Sequence, residues 1–241
     1  MQASLYVALS AQRSMQKRLD TIANNVANAT TAGYRAEAVK FDTLVSQTLG
    51  EPTAFSTANT RYLSRRSGEF VKTDNPLDVA IEGSAWISIQ TPAGQVFTRD
   101  GRMRMAETGQ LQTLNGYPIL DAGGAPILLD PSAGPPQIAH DGMITQNRRQ
   151  IGAIGLFAID DTAKLNRFEN SGVIPDRPAS AVLDFRTSGV RQGFVERSNV
   201  NPVTEISTLM ALQRTFEAAA ASINDMENSL QDAIKTLGSN S

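Results

Sequence analysis

From Leu209 to Leu237, apolar residues recur at alternating steps of three and four: Leu209, Leu212, Phe216, Ala219, Ile223, Met226, Leu230, Ala233 and Leu237. No polar residue interrupts the series. A step averaging 3.5 residues puts the whole series on one narrow stripe of a helix, the a/d seam of a coiled coil. The flanks agree with a helix. Asn201 suits the N-cap, Pro202 the first helical position, and Glu205 the positive end of the helix dipole, while Gly238 ends it.

The opposite end carries the same pattern. Met1, Leu5, Ala8, Gln12, Met15, Leu19, Ile22, Val26 and Ala29 keep the alternation, with Gln12 the one polar member, and Gly33 follows as a stop. At 1.5 Å per residue the two helices span roughly 40 and 55 Å. Two such helices can simply pack on each other or on a neighbouring domain. Their length, their position at both ends of the chain and the narrowness of each stripe favour assembly with further copies instead.

Between the helices the periodicity changes. Turn chemistry recurs at Pro92-Ala93-Gly94, Asp100-Gly101, Thr108-Gly109, Asn115-Gly116 and Gly123-Gly124. The runs between them alternate or are rich in strand formers, as in Trp86-Ile87-Ser88-Ile89 and Arg102-Met103-Arg104-Met105. Short antiparallel strands follow from that spacing. Asp141-Gly142, Ile151 to Ile159 and Ala181 to Phe185 extend the pattern. The predicted fold is α+β: N- and C-terminal coiled-coil-type helices packed together, with a central antiparallel β-rich domain. The predicted segments are a helix over 1–34, an extended linker over 35–75, the β-rich domain over 76–190 and a helix over 191–241.

Composition narrows the function. A net charge of −2 without a long basic run disfavours wholesale binding to nucleic acid or to an anionic membrane surface. The absence of cysteine excludes disulfides and thiolate metal sites. No run approaches the ~20 apolar residues of a membrane span, and no charged-then-apolar leader is seen at the N-terminus. Export, where it occurs, is therefore expected without a cleaved signal peptide.

Catalytic constellations are weak. His140 beside Asp141 lacks a nucleophile elbow. The carboxylate pairs Asp160-Asp161 and Asp74/Asp78 read as turn chemistry and as structure. Gly152-Ala153-Ile154-Gly155 has no Gly-Lys-Ser/Thr to make a phosphate cradle. No catalytic, cofactor-binding or metal-binding residue is predicted, and no small-molecule substrate. Trp86 reads as a half-buried sheet residue.

Three blocks carry a family likeness. Leu19-Asp20-Thr21-Ile22-Ala23-Asn24-Asn25-Val26-Ala27-Asn28 followed by Thr31-Ala32-Gly33-Tyr34-Arg35 resembles the N-terminal signature of the flagellar rod and hook proteins. Asn75-Pro76-Leu77-Asp78-Val79-Ala80-Ile81, Phe97-Thr98-Arg99-Asp100-Gly101 and Asn115-Gly116-Tyr117-Pro118-Ile119-Leu120 resemble the β-domain signature. Gly193-Phe194-Val195-Glu196, Ser198-Asn199-Val200-Asn201 and Gln213-Arg214-Thr215-Phe216-Glu217 resemble the C-terminal one. Within the family, Ala85-Trp86-Ile87 and Leu5-Tyr6-Val7-Ala8 lean toward the proximal-rod branch over the distal-rod branch.

That resemblance implies export through the flagellar type III apparatus and polymerisation with itself and with other rod subunits. The product would be a hollow, torque-transmitting shaft in the periplasmic part of the basal body, with the helices inside and the β-rich part outside. The subunit-contact residues it points to are Leu5, Met15, Leu19, Ile22 and Val26 on the first stripe, and Leu209, Leu212, Phe216, Ile223, Met226, Leu230 and Leu237 on the second. Asn24, Asn25 and Asn28, with the Ser198-Asn199-Val200 segment, are further candidates. Amides inside a helix either cap a solvated end or fix register against a neighbour. A periplasmic cell-wall hydrolase and an adhesin on helical stalks are the competing readings. The first needs a catalytic constellation, and the second an aromatic or apolar patch on the β-rich domain.

Overall fold

The computed structural model describes the backbone of residues 2–46 and 53–238, and side-chain burial for residues 8–40 and 61–225 with a few later positions on the second helix. The chain is α+β and divides into two compact units. Each is built from non-contiguous pieces. The first comprises helix α1 (Gln2–Ala27), strand β1 (Glu37–Ser46), most of β2 (Thr53–Leu63) and helix α2 (Pro202–Gly238). The second comprises Asn28–Ala36 and Leu63–Val200.

In the first unit α1 packs against α2 and against β1, and β1 pairs with β2. α2 begins at Pro202, where the capping residues place it, and not at 191: strand residues up to 196 occupy the start of that predicted segment. The Asn201 side-chain oxygen accepts hydrogen bonds from the backbone N–H of Val203 (3.1 Å) and Thr204 (3.2 Å), so two of the donors every helix start leaves open are satisfied. α1 stops at Ala27, before the last member of its predicted stripe, Ala29. The stop is local: Thr31 donates from its backbone N–H to Asn28 O (3.1 Å) and from its hydroxyl to the Asn28 side-chain oxygen (3.1 Å).

The residues read as an extended linker contain three strands: β1, β2 and β3 (Phe70–Lys72). Their apolar residues do not alternate, so the pleat left no period to read.

The second unit is a set of antiparallel sheets. After β4 (Val79–Glu82) come β5 (Trp86–Thr91), β6 (Gly94–Thr98), β7 (Met103–Met105) and β8 (Leu111–Thr113). Next are β9 (Gln137–Ile138), β10 (Met143–Gln146), β11 (Arg149–Ala153), β12 (Leu156–Ala158), β13 (Leu165–Phe168) and β14 (Gly172–Pro175). β15 (Ser180–Ala181), β16 (Gly189–Gln192) and β17 (Phe194–Glu196) complete the order.

The largest sheet runs β13-β14-β6-β5-β12-β15; β9 to β11 form a second, and β4/β16, β3/β17 and β7/β8 pair separately. The turn residues read from sequence fall between these strands. Gly109 adopts φ +84°, a left-handed turn conformation. Gly101 is needed for space: a Cβ there would lie 1.9 Å from Val79 O. The apolar run Ile151 to Ile159 is two strands broken at Ile154-Gly155, because Gly155 sits against the Asp121 backbone, where a Cβ would meet it at 2.5 Å.

Two apolar clusters hold this unit. The larger gathers Val79, Ile81, Ile87, Leu111, Ile119 and Ile144, all fully buried, with their neighbours. The smaller gathers Leu63, Trp86, Phe97, Phe157, Ile159, Ala163 and Val173, with the Phe97 and Phe157 rings edge to face at 5.4 Å. Each fully buried aliphatic side chain contributes about 1.5–3 kcal/mol. Trp86, expected half-buried, is buried.

Candidate assembly helices and a buried ionic node

Among the described side chains of α2 the half-buried positions are Glu205, Thr208, Leu209, Leu212, Phe216, Ala219, Ala220 and Ile223; the other positions from Met210 to Glu217 are exposed. This row holds five members of the predicted stripe, Leu209, Leu212, Phe216, Ala219 and Ile223. On α1, Ala8, Gln12, Met15, Leu19 and Val26 are half-buried and Ile22 is buried. The side chains of Leu5, Met226, Leu230 and Leu237 lie outside the described residues.

Beside that seam α1 carries a second row the apolar period does not show. Ser14, Thr21 and Asn25 are buried, and Ser10 and Lys17 half-buried. Small hydroxyl residues let a helix approach its neighbours closely, and Thr21 satisfies its own hydroxyl on Lys17 O at 2.9 Å. Asn25 explains its own residue type. Its amide donates to Glu37 O (2.9 Å) and its side-chain oxygen accepts from Glu37 N–H (2.9 Å), closing a two-point grip on the first residue of β1. Asn24, one residue earlier, is exposed.

α2 also presents apolar side chains away from its seam. Val203 is 73%, Ile206 39% and Met210 56% exposed, at a spacing of three and four. Near the start of α2 lies a groove of about 410 Å³. It is lined by Arg18, Thr21, Ile22 and Asn25 of α1, by Glu37, Ala38 and Val39 of β1, and by Glu205 and Thr208.

The remaining polar candidates fall in the β-rich unit and are used there. The Asn199 side-chain oxygen accepts from Ala36 N–H (2.7 Å), and its amide donates to Arg66 O (2.7 Å) and Ser64 Oγ (3.1 Å). The Ser198 hydroxyl accepts from Val200 N–H (3.2 Å), and the Ser198 and Val200 side chains are buried.

Next to Asn199 lies a node that periodicity did not reveal. Glu196 of β17 is completely buried. One carboxylate oxygen accepts from Arg35 (2.9 Å) and from Gly68 N–H (2.8 Å); the other accepts from Arg99 Nε (2.7 Å). The rest of the Arg99 guanidinium donates to the carbonyls of Ile81, Gly83 and Ala85, sealing the β4–β5 turn at 2.5, 3.0 and 2.6 Å. Arg35 also donates to Arg66 O.

Two cations against one anion leave Arg35 under strain. Burial, with Arg99 beside it, pulls the Arg35 guanidinium down to about 10, and the pairing with Glu196 only partly offsets this. Trp86, the chain's one tryptophan, lies 5.8 Å from each guanidinium carbon. Gly33 permits the arrangement: at φ +67° it donates to Glu196 O (2.9 Å), and a Cβ would sit 2.2 Å from Asp100 N. Tyr34 lies under Arg167, whose guanidinium is 4.2 Å from the ring and donates to Arg35 O. Arg35, Arg99 and Glu196 each come from a different one of the three sequence blocks.

Three family models match ranges that hold Arg35, Arg99 and Glu196. The family model described as flagella basal body rod protein matches residues 5–35. The flagellar hook protein FlgE/F/G D1 domain matches 80–146, and the flagellar basal body rod FlgEFG protein C-terminal model matches 191–236. The flagellar basal-body rod protein FlgF of Mesorhizobium japonicum is 51% identical over 241 residues, covering 100% of both chains.

The chain belongs to the flagellar basal-body rod protein family.

The FlgF protein of Rhizobium meliloti is 45% identical to this rod-family chain over 238 residues, 99% of each. The FlgG protein of Bacillus subtilis is 28% identical over 257 residues, with 96% of this chain and 97% of that one covered. The residues weighed for catalysis have structural surroundings. His140 faces Phe185 O (3.1 Å) and Glu82 (3.7 Å), and Asp141 caps Met143 N–H (3.0 Å). Asp160 holds Thr162 through its hydroxyl (2.5 Å) and N–H (2.7 Å), and Asp78 accepts from Asn75 (3.0 Å). Among the described residues no helix is long and apolar enough to cross a membrane.

Proposed function

We propose that this structural rod protein polymerises through α1 and α2. Val203, Ile206 and Met210 stand exposed on α2 while its seam is turned inward, and this is the observation that carries the reading. A helix with one apolar row covered and a second left in water gains by burying that second row on another subunit. A contact of this kind, repeated without closing on itself, generates a helical filament.

Coiled-coil packing along the two seams, self-association and contact with other rod subunits are parts of this reading. Leu5, Met15, Leu19, Ile22, Val26, Leu209, Leu212, Phe216, Ile223, Met226, Leu230 and Leu237 supply the packed rows. Exposed Asn24 is the polar contact toward a neighbour, and Asn25, Asn28, Ser198, Asn199 and Val200 shape the segments that carry it. The chain forms part of a hollow shaft and reaches it through the flagellar export apparatus without a cleaved signal peptide. The higher identity to FlgF than to FlgG supports the proximal part of the rod, in line with Ala85-Trp86-Ile87.

The test is Val203→Glu with Met210→Glu in a motile strain. The expected result is a folded, exported chain, absent from purified basal bodies, in cells that do not swim. Swimming cells with the variant in their rods would remove the exposed row from the assembly surface.

A further inference from the structure

We propose that residues 28–36 and 194–200 form a latch on the β-rich unit, closed by Glu196, that opens, taking the short β3/β17 pairing with it, while the largest sheet beneath stays folded. The two segments hold each other and the loop at 64–69. Gly33 N–H donates to Glu196 O (2.9 Å), Asn199 N–H to Tyr34 O (3.3 Å), Ser64 N–H to Ala36 O (2.8 Å) and Arg197 N–H to Glu69 O (2.8 Å). Neither apolar cluster includes a residue of these two segments; buried Ala32, Tyr34, Val195 and Val200 stand apart from both.

A region fastened mainly by hydrogen bonds and one carboxylate opens at lower free energy than a packed core. The carboxylate is the common fastener, since Arg35, Gly68 and Arg99 meet on it and Gly33 on the same residue's carbonyl. Removing it strands two buried cations, so the segments release together. Asn28 follows α1 directly and Val200 precedes α2, so an open latch leaves both helices on longer tethers, and a closed one sets where each tether starts.

The latch is a property of the free chain, and its test does not depend on polymerisation. Native-state hydrogen exchange on the full-length protein in low denaturant is the first measurement. The Gly33, Gly68, Arg197 and Asn199 amides are expected to share one opening, exchanging at least about tenfold faster than the Ile87 and Ile89 amides of β5. The second measurement is tryptic cleavage after Arg35, followed by mass spectrometry, with Trp86 emission read alongside.

Glu196→Gln is expected to accelerate that cleavage roughly a hundredfold and shift Trp86 emission, with β5 and β6 protection unchanged. Gly33→Ala, which attacks the docking by steric means, is expected to accelerate cleavage in the same way. Latch amides in the wild-type chain that exchange only with those of β5 overturn the proposal. So does a Glu196→Gln chain that keeps Arg35 protected, or one that loses β5–β6 protection along with it.

Discussion

Replacing Asn25 with aspartate turns the grip of α1 on β1 into a pH-dependent one. In the native chain the amide donates to Glu37 O and the oxygen accepts from Glu37 N–H, each at 2.9 Å, with the side chain 2% exposed. Each bond contributes about 1 kcal/mol net, and stranding the partners adds about 1–2 kcal/mol, so Asn25→Ala is expected to cost about 3–4 kcal/mol. An ionised aspartate at this position keeps the bond from Glu37 N–H but sets a buried negative charge against Glu37 O. Arg18 lines the same groove and offsets part of that charge, while Glu37 and Glu205 add to it.

The resulting loss at neutral pH corresponds to a folded-state pKa raised above the ordinary value of about 3.9 for an aspartate, because burial and the facing Glu37 carbonyl disfavour the charged form. The folded pKa is raised, so the protonated form is the compatible one: it donates to Glu37 O and restores both bonds. The deficit relative to wild type is therefore absent below the unfolded pKa of about 3.9, grows as the pH rises from there, and is complete above the raised folded pKa. Urea unfolding followed by far-ultraviolet circular dichroism at pH 7 and pH 4 measures it. A shortfall of about 3 kcal/mol at pH 7 that falls under about 1 kcal/mol at pH 4 is the expected outcome. An Asn25→Asp deficit equal at the two pH values would refute the reasoning, as would an Asn25→Ala cost under about 0.5 kcal/mol.

Phe216→Asp and Ile223→Asp place a charge in the half-buried row of α2 and are expected to abolish swimming and rod completion. The melting of the β-rich unit should be unchanged, and normal swimming halos would contradict this. Asn201→Ala removes the bonds to Val203 and Thr204 N–H and is expected to cost α2 about 1 kcal/mol, read as a fall in helical signal near the unfolding midpoint. Ile87→Ala, at a fully buried position in the larger cluster, is expected to destabilise the β-rich unit by about 2–5 kcal/mol in calorimetry and to leave the α2 seam untouched.

The helices were legible because one physical demand, a stripe facing a neighbour, leaves a period in the sequence. Asn201, Pro202 and Gly238 bound α2 where capping chemistry places them. The turns after β5, β7 and β8 were readable for a similar reason, since a left-handed backbone selects glycine. β1 and β2 left no such trace. Ser14 and Thr21 were equally silent, because small hydroxyls look solvent-exposed until their surroundings are seen, whereas Asn25 stood out as an amide inside a helix but gave no sign that its partner is Glu37. Arg35, Arg99 and Glu196 stood in the quoted signatures, but their meeting is a matter of topology. A lone charge after an apolar pair, as in Phe194-Val195-Glu196, is the faint mark such a site leaves.

The interleaving of the two units has a consequence for heredity. The polypeptide passes from one unit to the other after residues 27, 36, 62 and 200. A single genetic crossover between two related genes therefore cannot exchange one unit and keep the other intact. It delivers a hybrid in which at least one unit mixes parental pieces: a crossover after residue 200 trades α2 alone and leaves it against an α1 from the other parent.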